Sequence, residues 1–198
     1  MNLRPLPRRF YARDPDEVAR DLIGRLLVKA AHGETMVGRI VEAEAYAHDD
    51  PASHSFRGET RRNATMFGPP GHAYVYISHG IHHCMNVTAG SANAVLLRAL
   101  EPLRGSEEMA RRRGIADERL LCAGPGRLCQ AIGITLADDG KDVTRRGDLW
   151  LAAGEPVTDI AVTGRIGLTA AAEVPLRFVE AGTRFASRPV GVTRPGSG

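Results

Sequence analysis

Lysine is almost missing from this chain. Of its 26 basic residues only Lys29 and Lys141 are lysines, and the rest are arginines. Arginine's planar fork suits phosphate and carboxylate recognition better than an ammonium does, although codon bias in a source genome enriches it too. Aromatic residues are also scarce, at 5% of the chain, so each ring stands out. The three cysteines, Cys84, Cys122 and Cys129, form neither a CxxC nor an even framework. That argues against a disulfide scaffold and fits a reducing compartment. No window approaches the roughly 18 uninterrupted apolar residues of a membrane span. The opening MNLRPLPRRF lacks the apolar stretch of a secretory signal. The expectation is a soluble cytoplasmic protein, nucleoid-associated if bacterial, with no membrane partner.

The 198 residues and 43% hydrophobic content suit one domain with a real core, spanning 1–198 with frayed ends at about 1–8 and 190–198. A formal net charge of +3 and a pI near 9.0 are mild for a nucleic-acid binder but have the right sign. Asp14-Pro15-Asp16-Glu17 reads as a helix start, with Asp14 as N-cap and Glu17 closing a capping box. Val18, Ala19, Leu22 and Ile23 form its apolar stripe and Gly24 its stop. RLLVKAA and TMVGRIVEAEAY flank HGE as a hairpin. Residues 47–72, rich in Gly, Pro, His and Arg, read as a long ordered loop of the functional kind. HAYVYI and IHHCMNV are two strands joined by Ser78-His79-Gly80, and AVLLRAL is a third. GSEEMARRRG reads as a helix with Ser106 as N-cap and Gly114 as C-cap, and GPGRLCQAIGI as a Gly-Pro loop entering a helix. The remainder reads as short strands and turns, giving one mixed α/β domain.

The stretch RIVEAEAY places two carboxylates and a ring in a short apolar strand. With a period of two, Val41, Ala43 and Ala45 face one way, and Ile40, Glu42, Glu44 and Tyr46 the other. By the same rule Tyr74 and Tyr76 share a face, as do His82, Cys84 and Asn86, while Arg98 shares one with Ala94, Leu96 and Leu100. Adjacent strands would gather Glu44, Tyr46, Tyr76, Asn86 and Arg98 around one hollow. It would hold a carboxylate to activate water, rings to stack on a planar ligand, and amide and guanidinium donors. A strand tyrosine is more often simple packing, and a buried Glu–Arg pair is often structural. The number of such residues on facing strands is what points to a site. Arg57, Arg61 and Arg62 in the long loop, and Arg127 at a helix start, add anion-binding groups around it. The cluster His79, His82, His83 and Cys84 matches no compact metal motif. No metal and no cofactor is expected.

Taken together, EAEAY, His54, RRN-x-x-MF-x-x-PG-x-x-YVYI-x-x-G, CMN, VLLRALEPL and GP-x-x-LCQA resemble the alkyladenine (3-methyladenine) DNA glycosylases. The likeness runs from about Phe10 through PLRF at 175–178. It implies an α+β domain around a curved, mainly antiparallel sheet flanked by helices, with a β-hairpin that inserts into DNA. It further implies excision of damaged purines such as 3-methyladenine, hypoxanthine and ethenoadenine from double-stranded DNA, with the damaged nucleotide flipped out of the stack. By position, the resemblance makes Glu44 the base that activates water, and Arg98 the residue that orients it. Tyr46 and Tyr76 sandwich the flipped base, His54 bonds in the pocket, and Asn86 screens out guanine. Glu42 receives no catalytic role and is expected in a structural ion pair.

Two departures stand out. At the hairpin tip, where well-known members of the family insert a tyrosine, this chain has His79, a smaller wedge that can carry a charge. The loop between His54 and Met66 is about a residue shorter than in some relatives, which bears on the DNA contacts of Arg61 and Arg62. Strand-nicking glycosylases use an amine to form a Schiff base, and neither Lys29 nor Lys141 lies in the matched motifs. A monofunctional enzyme is therefore expected, and a monomer suits a protein that scans DNA. Two other readings fit parts of the pattern: a non-catalytic nucleic-acid-binding module using the same surface, and a metal-dependent hydrolase using the histidines.

Overall fold

In the computed structural model, which describes residues 1, 3–31, 33–168, 171 and 173–190, the alternating apolar segments pair into one curled antiparallel sheet. Its strands are β1 (Leu26–Ala31), β2 (Glu34–Tyr46), β3 (Ala73–Ser78), β4 (His82–Gly90), β5 (Asn93–Arg104), β6 (Leu149–Ala152), β7 (Ile160–Thr163) and β8 (Arg177–Glu180). The order is β3-β4-β5-β2-β1-β6, with β8 also on β2 and β7 on β8. The 13-residue β2 is the spine: its first half pairs with β1, residues 42–44 pair with β8, and β5 lies along its other edge. The expected hairpins β1–β2 and β3–β4 are both present.

The helices are α1 (Arg8–Tyr11), α2 (Pro15–Leu22), α3 (Ser106–Arg113), α4 (Glu118–Leu121) and α5 (Pro125–Ile132). The apolar faces of α2 and α5 meet the sheet face carrying Met36, Ile40, Ala43, Met85, Val87, Leu97 and Leu100. Each fully buried Leu, Ile, Val or Met side chain among them contributes roughly 1.5–3 kcal/mol. One sheet face is thereby committed to the main core, and the other carries smaller apolar clusters beside the polar residues described below.

Several expectations need correcting. The strict alternation along β2 breaks at Val41, because the β2–β5 register passes from Ile40↔Leu100 to Glu42↔Ala99 and then to Ala43↔Leu97. Val41 is an extra residue on β2 and Arg98 an extra one on β5, a pair of bulges. Ile40 therefore joins Ala43 and Ala45 in the main core, while Val41 packs with Ala99 and Phe185. For the same reason Leu100 leaves the face of Arg98 for the core.

At α2 Pro15 occupies the first turn, but Asp14 makes no side-chain cap bond. The N-cap of α3 is Gly105 rather than Ser106. Its φ of +81° and a Cβ that would lie 2.8 Å from Met36 Cγ require glycine there. Within the N-terminal stretch, Leu6 N–H donates to Leu151 O at 2.9 Å, and Trp150 Nε1–H to Leu3 O at 3.1 Å. The helix α4 has no counterpart in the sequence reading, and a 3-10 turn at Ala64–Phe67 interrupts the long loop. The expected frayed tail lies, from residue 191 on, outside the described residues. Among the described residues no helix is long and apolar enough to cross a membrane.

Candidate active site

One transverse rung of the sheet assembles the site. Tyr74 pairs with Asn86, Asn86 with Leu96, Leu96 with Glu44, and Glu44 with Arg177. Directly opposed residues of antiparallel strands project to the same face, so the rung carries two expected site residues from distant segments. Tyr76 and Tyr46 lie one period further along β3 and β2. A partly open cavity of about 70 Å³ sits on this face, lined by Tyr46, His54, Tyr76 and Asn86 together with Tyr74 and Leu96. The rings of Tyr74 and Tyr76 stack at 5.7 Å and 27°. His54, from the long loop, stands edge-on to Tyr76 at 4.5 Å, and its Nδ1 hydrogen-bonds the Tyr74 hydroxyl at 2.9 Å. Burial pushes the Tyr74 hydroxyl up to about 12. The protein packed around His54, and after it the charge of Arg62, lower the imidazole and favour its neutral form. The amide of Asn86 is fixed by donation from Nδ2 to Tyr74 O at 3.2 Å.

Glu44 and Arg98 do not line this cavity. They form the layer beneath its Tyr46 wall, and Glu44 is fully buried. Its Oε2 accepts from the Tyr46 hydroxyl at 2.9 Å and from Arg98 Nη1 at 3.1 Å, and its Oε1 from the Ile166 N–H at 2.9 Å. Burial and then the Glu44 charge push the Tyr46 hydroxyl far up, so it remains a donor. Burial alone would lower the Arg98 guanidinium, but Glu44 and Glu42 more than offset it and keep it charged.

The expected ion pair of Glu42 is present and is doubled. Arg98 Nε and Arg177 Nε each donate to Glu42 Oε1 at 2.8 Å. Burial would raise the Glu42 carboxyl; Arg177, Arg98 and Ser187 outweigh it and hold the group below the usual carboxylate range.

The expected DNA-binding residues divide. Arg61, Arg62 and His79 border one open cleft beside Tyr76. Arg62 is anchored there by donation to Ile77 O at 2.7 Å. His79 sits exposed at the tip of a tight turn in which both His79 (φ +51°) and Gly80 (φ +74°) are left-handed. Arg57 and Arg127 are exposed but line neither that cleft nor the cavity, and Arg127 is turned back onto Ala123 O at 3.2 Å. Among the described residues no three of His, Cys, Asp and Glu are grouped to hold a metal ion.

Sequence reasoning missed three contributors. Tyr74 shares its face with Tyr76, and that period was a usable signal for its role at His54. Arg165 and Ser187 lie in irregular segments where periodicity carries no signal. The guanidinium of Arg165 stacks 4.7 Å from the Tyr46 ring centre, donates to Ala45 O at 3.1 Å and pairs with Asp50.

The chain is similar to known proteins over most of its length. The family model for methylpurine-DNA glycosylase (MPG) matches residues 9–184. A protein of Carboxydothermus hydrogenoformans is 47% identical over 188 residues, covering 92% of this chain and 98% of its own. One from Rhodopseudomonas palustris strain HaA2 is 52% identical over 189 residues, covering 93% and 91% respectively. A third, from Nitrosospira multiformis, is 53% identical over 177 residues, covering 87% and 89%. All three are provisionally named 3-methyladenine DNA glycosylases. With a model match over most of its length and relatives at about half identity, the chain belongs to the methylpurine-DNA glycosylase family and is a DNA glycosylase of DNA repair.

Proposed function

We propose that the protein is a monofunctional glycosylase that flips alkylated or deaminated purines out of duplex DNA and hydrolyses the N-glycosidic bond with a water activated by Glu44. The observation that carries this reading is a buried carboxylate, bonded to a buried guanidinium, directly behind the ring wall of a cavity. An extruded purine would enter between Tyr46 and Tyr76, which offer flat faces to a planar base. Its deoxyribose would then reach the seal that Tyr46 and Ile166 make over Glu44. As the bond to N9 lengthens, its electron pair leaves with the base and positive charge grows on the sugar. The carboxylate stabilises that charge and accepts a proton from the water whose oxygen attacks C1′. The products are the free base and an abasic site. Asn86 sets the purine choice by opposing an exocyclic amine, and His79 acts as the wedge in the DNA.

Release without a covalent amine intermediate is supported by the fate of the two lysines. Lys29 and Lys141 both pair with Asp138, and neither lines the cavity. The deciding experiment uses end-labelled duplexes carrying one hypoxanthine or one ethenoadenine, beside methylated genomic DNA. Wild type and Glu44→Gln are compared with and without hot alkali. Strand cleavage that needs alkali, by the wild type only, is the expected result, with no adduct trapped by borohydride. A trapped adduct overturns the monofunctional assignment. Tight duplex binding by both proteins with no base released by either would favour the binding module instead.

A further inference from the structure

Glu42 lies two residues before Glu44 on β2, is equally buried, and is wired to the same guanidinium. Its carboxylate accepts four hydrogen bonds. Oε1 receives Arg98 Nε and Arg177 Nε, each at 2.8 Å, and the Ser187 hydroxyl at 2.7 Å. Oε2 receives the Ser187 N–H at 2.6 Å. Arg98 is consequently split. Its Nε edge belongs to Glu42, Nη2 reaches Ser187 Oγ at 3.4 Å, and Glu44 is left with the single Nη1 bond at 3.1 Å. A guanidinium facing one carboxylate alone tends to engage it bidentately. Here the bulge that makes Arg98 an extra residue on β5 sets it between two carboxylates instead.

We infer that Glu42 is a positioning residue for base excision: by holding the Nε edge of Arg98, it restricts that side chain to one N–H on Glu44 Oε2 and keeps it off Oε1, whose bond from the Ile166 N–H leaves room for the attacking water. The inference rests on the reading of Glu44 as the base. Charge balance gives it its sign. Glu44 faces Arg98 from β5, Tyr76 from β3 and Arg177 from β8; Glu42 and Tyr46 flank it on β2, and Arg165 lies beyond the Tyr46 ring. Within this group Arg98 and Arg177 are balanced by Glu42 and Glu44. Without the charge of Glu42, both guanidiniums act on Glu44 alone, which makes it a weaker base. Without Arg177, Glu42 is bound by one cation fewer and Glu44 sees less positive charge, which makes it a stronger base.

The test is the pH dependence of single-turnover base release, beside thermal unfolding, for wild type, Glu42→Gln, Arg177→Gln and Glu44→Gln. The acid limb of Glu42→Gln is expected about one pH unit lower, with a plateau roughly tenfold down. The acid limb of Arg177→Gln is expected to move upward. A merely structural ion pair would lower the unfolding temperature and the active fraction while leaving both acid limbs at the wild-type position, and that result overturns the inference. If Glu42→Gln does not fold, the upward displacement in Arg177→Gln decides alone, and its absence overturns the inference. An inactive Glu44→Gln beside unshifted limbs defeats only the role of Glu42. Base release retained by Glu44→Gln defeats the assignment of the base and this inference with it.

Discussion

The Tyr46 hydroxyl and Arg98 Nη1 share one oxygen of Glu44, while the ring of Tyr46 forms the cavity wall. In the proposed reaction, one side chain therefore joins two roles that a single atom separates. Replacing Tyr46 by Phe keeps the stacking face and removes only the donor. A lost neutral hydrogen bond costs about 1 kcal/mol, which corresponds to an unfolding temperature lower by roughly 2–4 °C in a chain of this size. The carboxylate, held on that oxygen by Arg98 alone, is then expected to turn toward Arg98. Gel-shift affinity for a duplex carrying ethenoadenine is expected to stay within about twofold, because the ring face remains. Single-turnover base release is expected to fall roughly tenfold. Equal losses in both measurements would mean that the hydroxyl serves binding and does not orient Glu44.

Two irregular segments are fastened to the site by one ion pair. Asp50, just beyond β2, pairs with Arg165, beyond β7, and the Arg165 side chain is 0% exposed. Arg165 also holds Ala45 O and the Tyr46 ring, so the pair fixes the loop that carries Ser53 and His54 against the segment that seals Glu44. Asp50→Asn leaves a buried, uncompensated guanidinium, at a cost of about 3–5 kcal/mol. The double substitution Asp50→Asn with Arg165→Met removes the stranded charge and is expected to unfold at a higher temperature than Asp50→Asn alone. A double variant no more stable than the single one would show that the pair contributes through shape and not through charge. The hairpin tip yields a second expectation at this scale. A His79→Tyr variant presents a larger wedge on the same left-handed turn and is expected to raise the extruded fraction of a fluorescent base analogue in the duplex. An unchanged fraction would remove the tip from the flipping step.

These elements also mark what the sequence could convey. Strand periodicity was enough to put Tyr46, Tyr76 and Asn86 on one face, because those strands run regularly through the rung that joins them. It failed at Ile40, Val41 and Leu100, since a bulge reverses faces without any compositional mark. It also placed Glu44 and Arg98 on the cavity surface, whereas the Tyr46 hydroxyl closes over them. Arg165 and Ser187 approach the site through tertiary folding of segments that have no period to read.

At the scale of the whole molecule, four carboxylates paired with cations fasten irregular segments to the rest of the fold. Glu42 binds the 185–188 segment to β2, β5 and β8; Asp50 joins two loops; Asp138 draws Lys29 of β1 and Lys141 together; and Asp142 holds Arg8 of α1. Burial alone would raise Glu42, Asp50, Asp138 and Asp142, but their donors and cations win and hold all four below the ordinary range. For Asp148 the leading cause is the hydrogen bond from Lys141, with the same direction. A carboxyl whose folded value is depressed contributes stability that is complete above its unfolded value, near pH 4, and is lost as pH falls through the folded value. The unfolding temperature is therefore expected to decline slightly between about pH 7 and 5, where the unfolded His54 takes up a proton that its lowered folded value resists, and to fall steeply below about pH 4. The loss should come first at the seams, because the strands have, besides their ion pairs, backbone bonds and apolar packing that do not titrate. Thermal unfolding by circular dichroism across pH 2–8, with limited proteolysis at pH 3 and 7, measures both parts. Cleavage at pH 3 concentrated in residues 47–72, 164–168 and 181–190 is the expected pattern. Stability unchanged down to pH 3 would mean that the ion pairs contribute nothing net, and the fold would then rest on its apolar core alone.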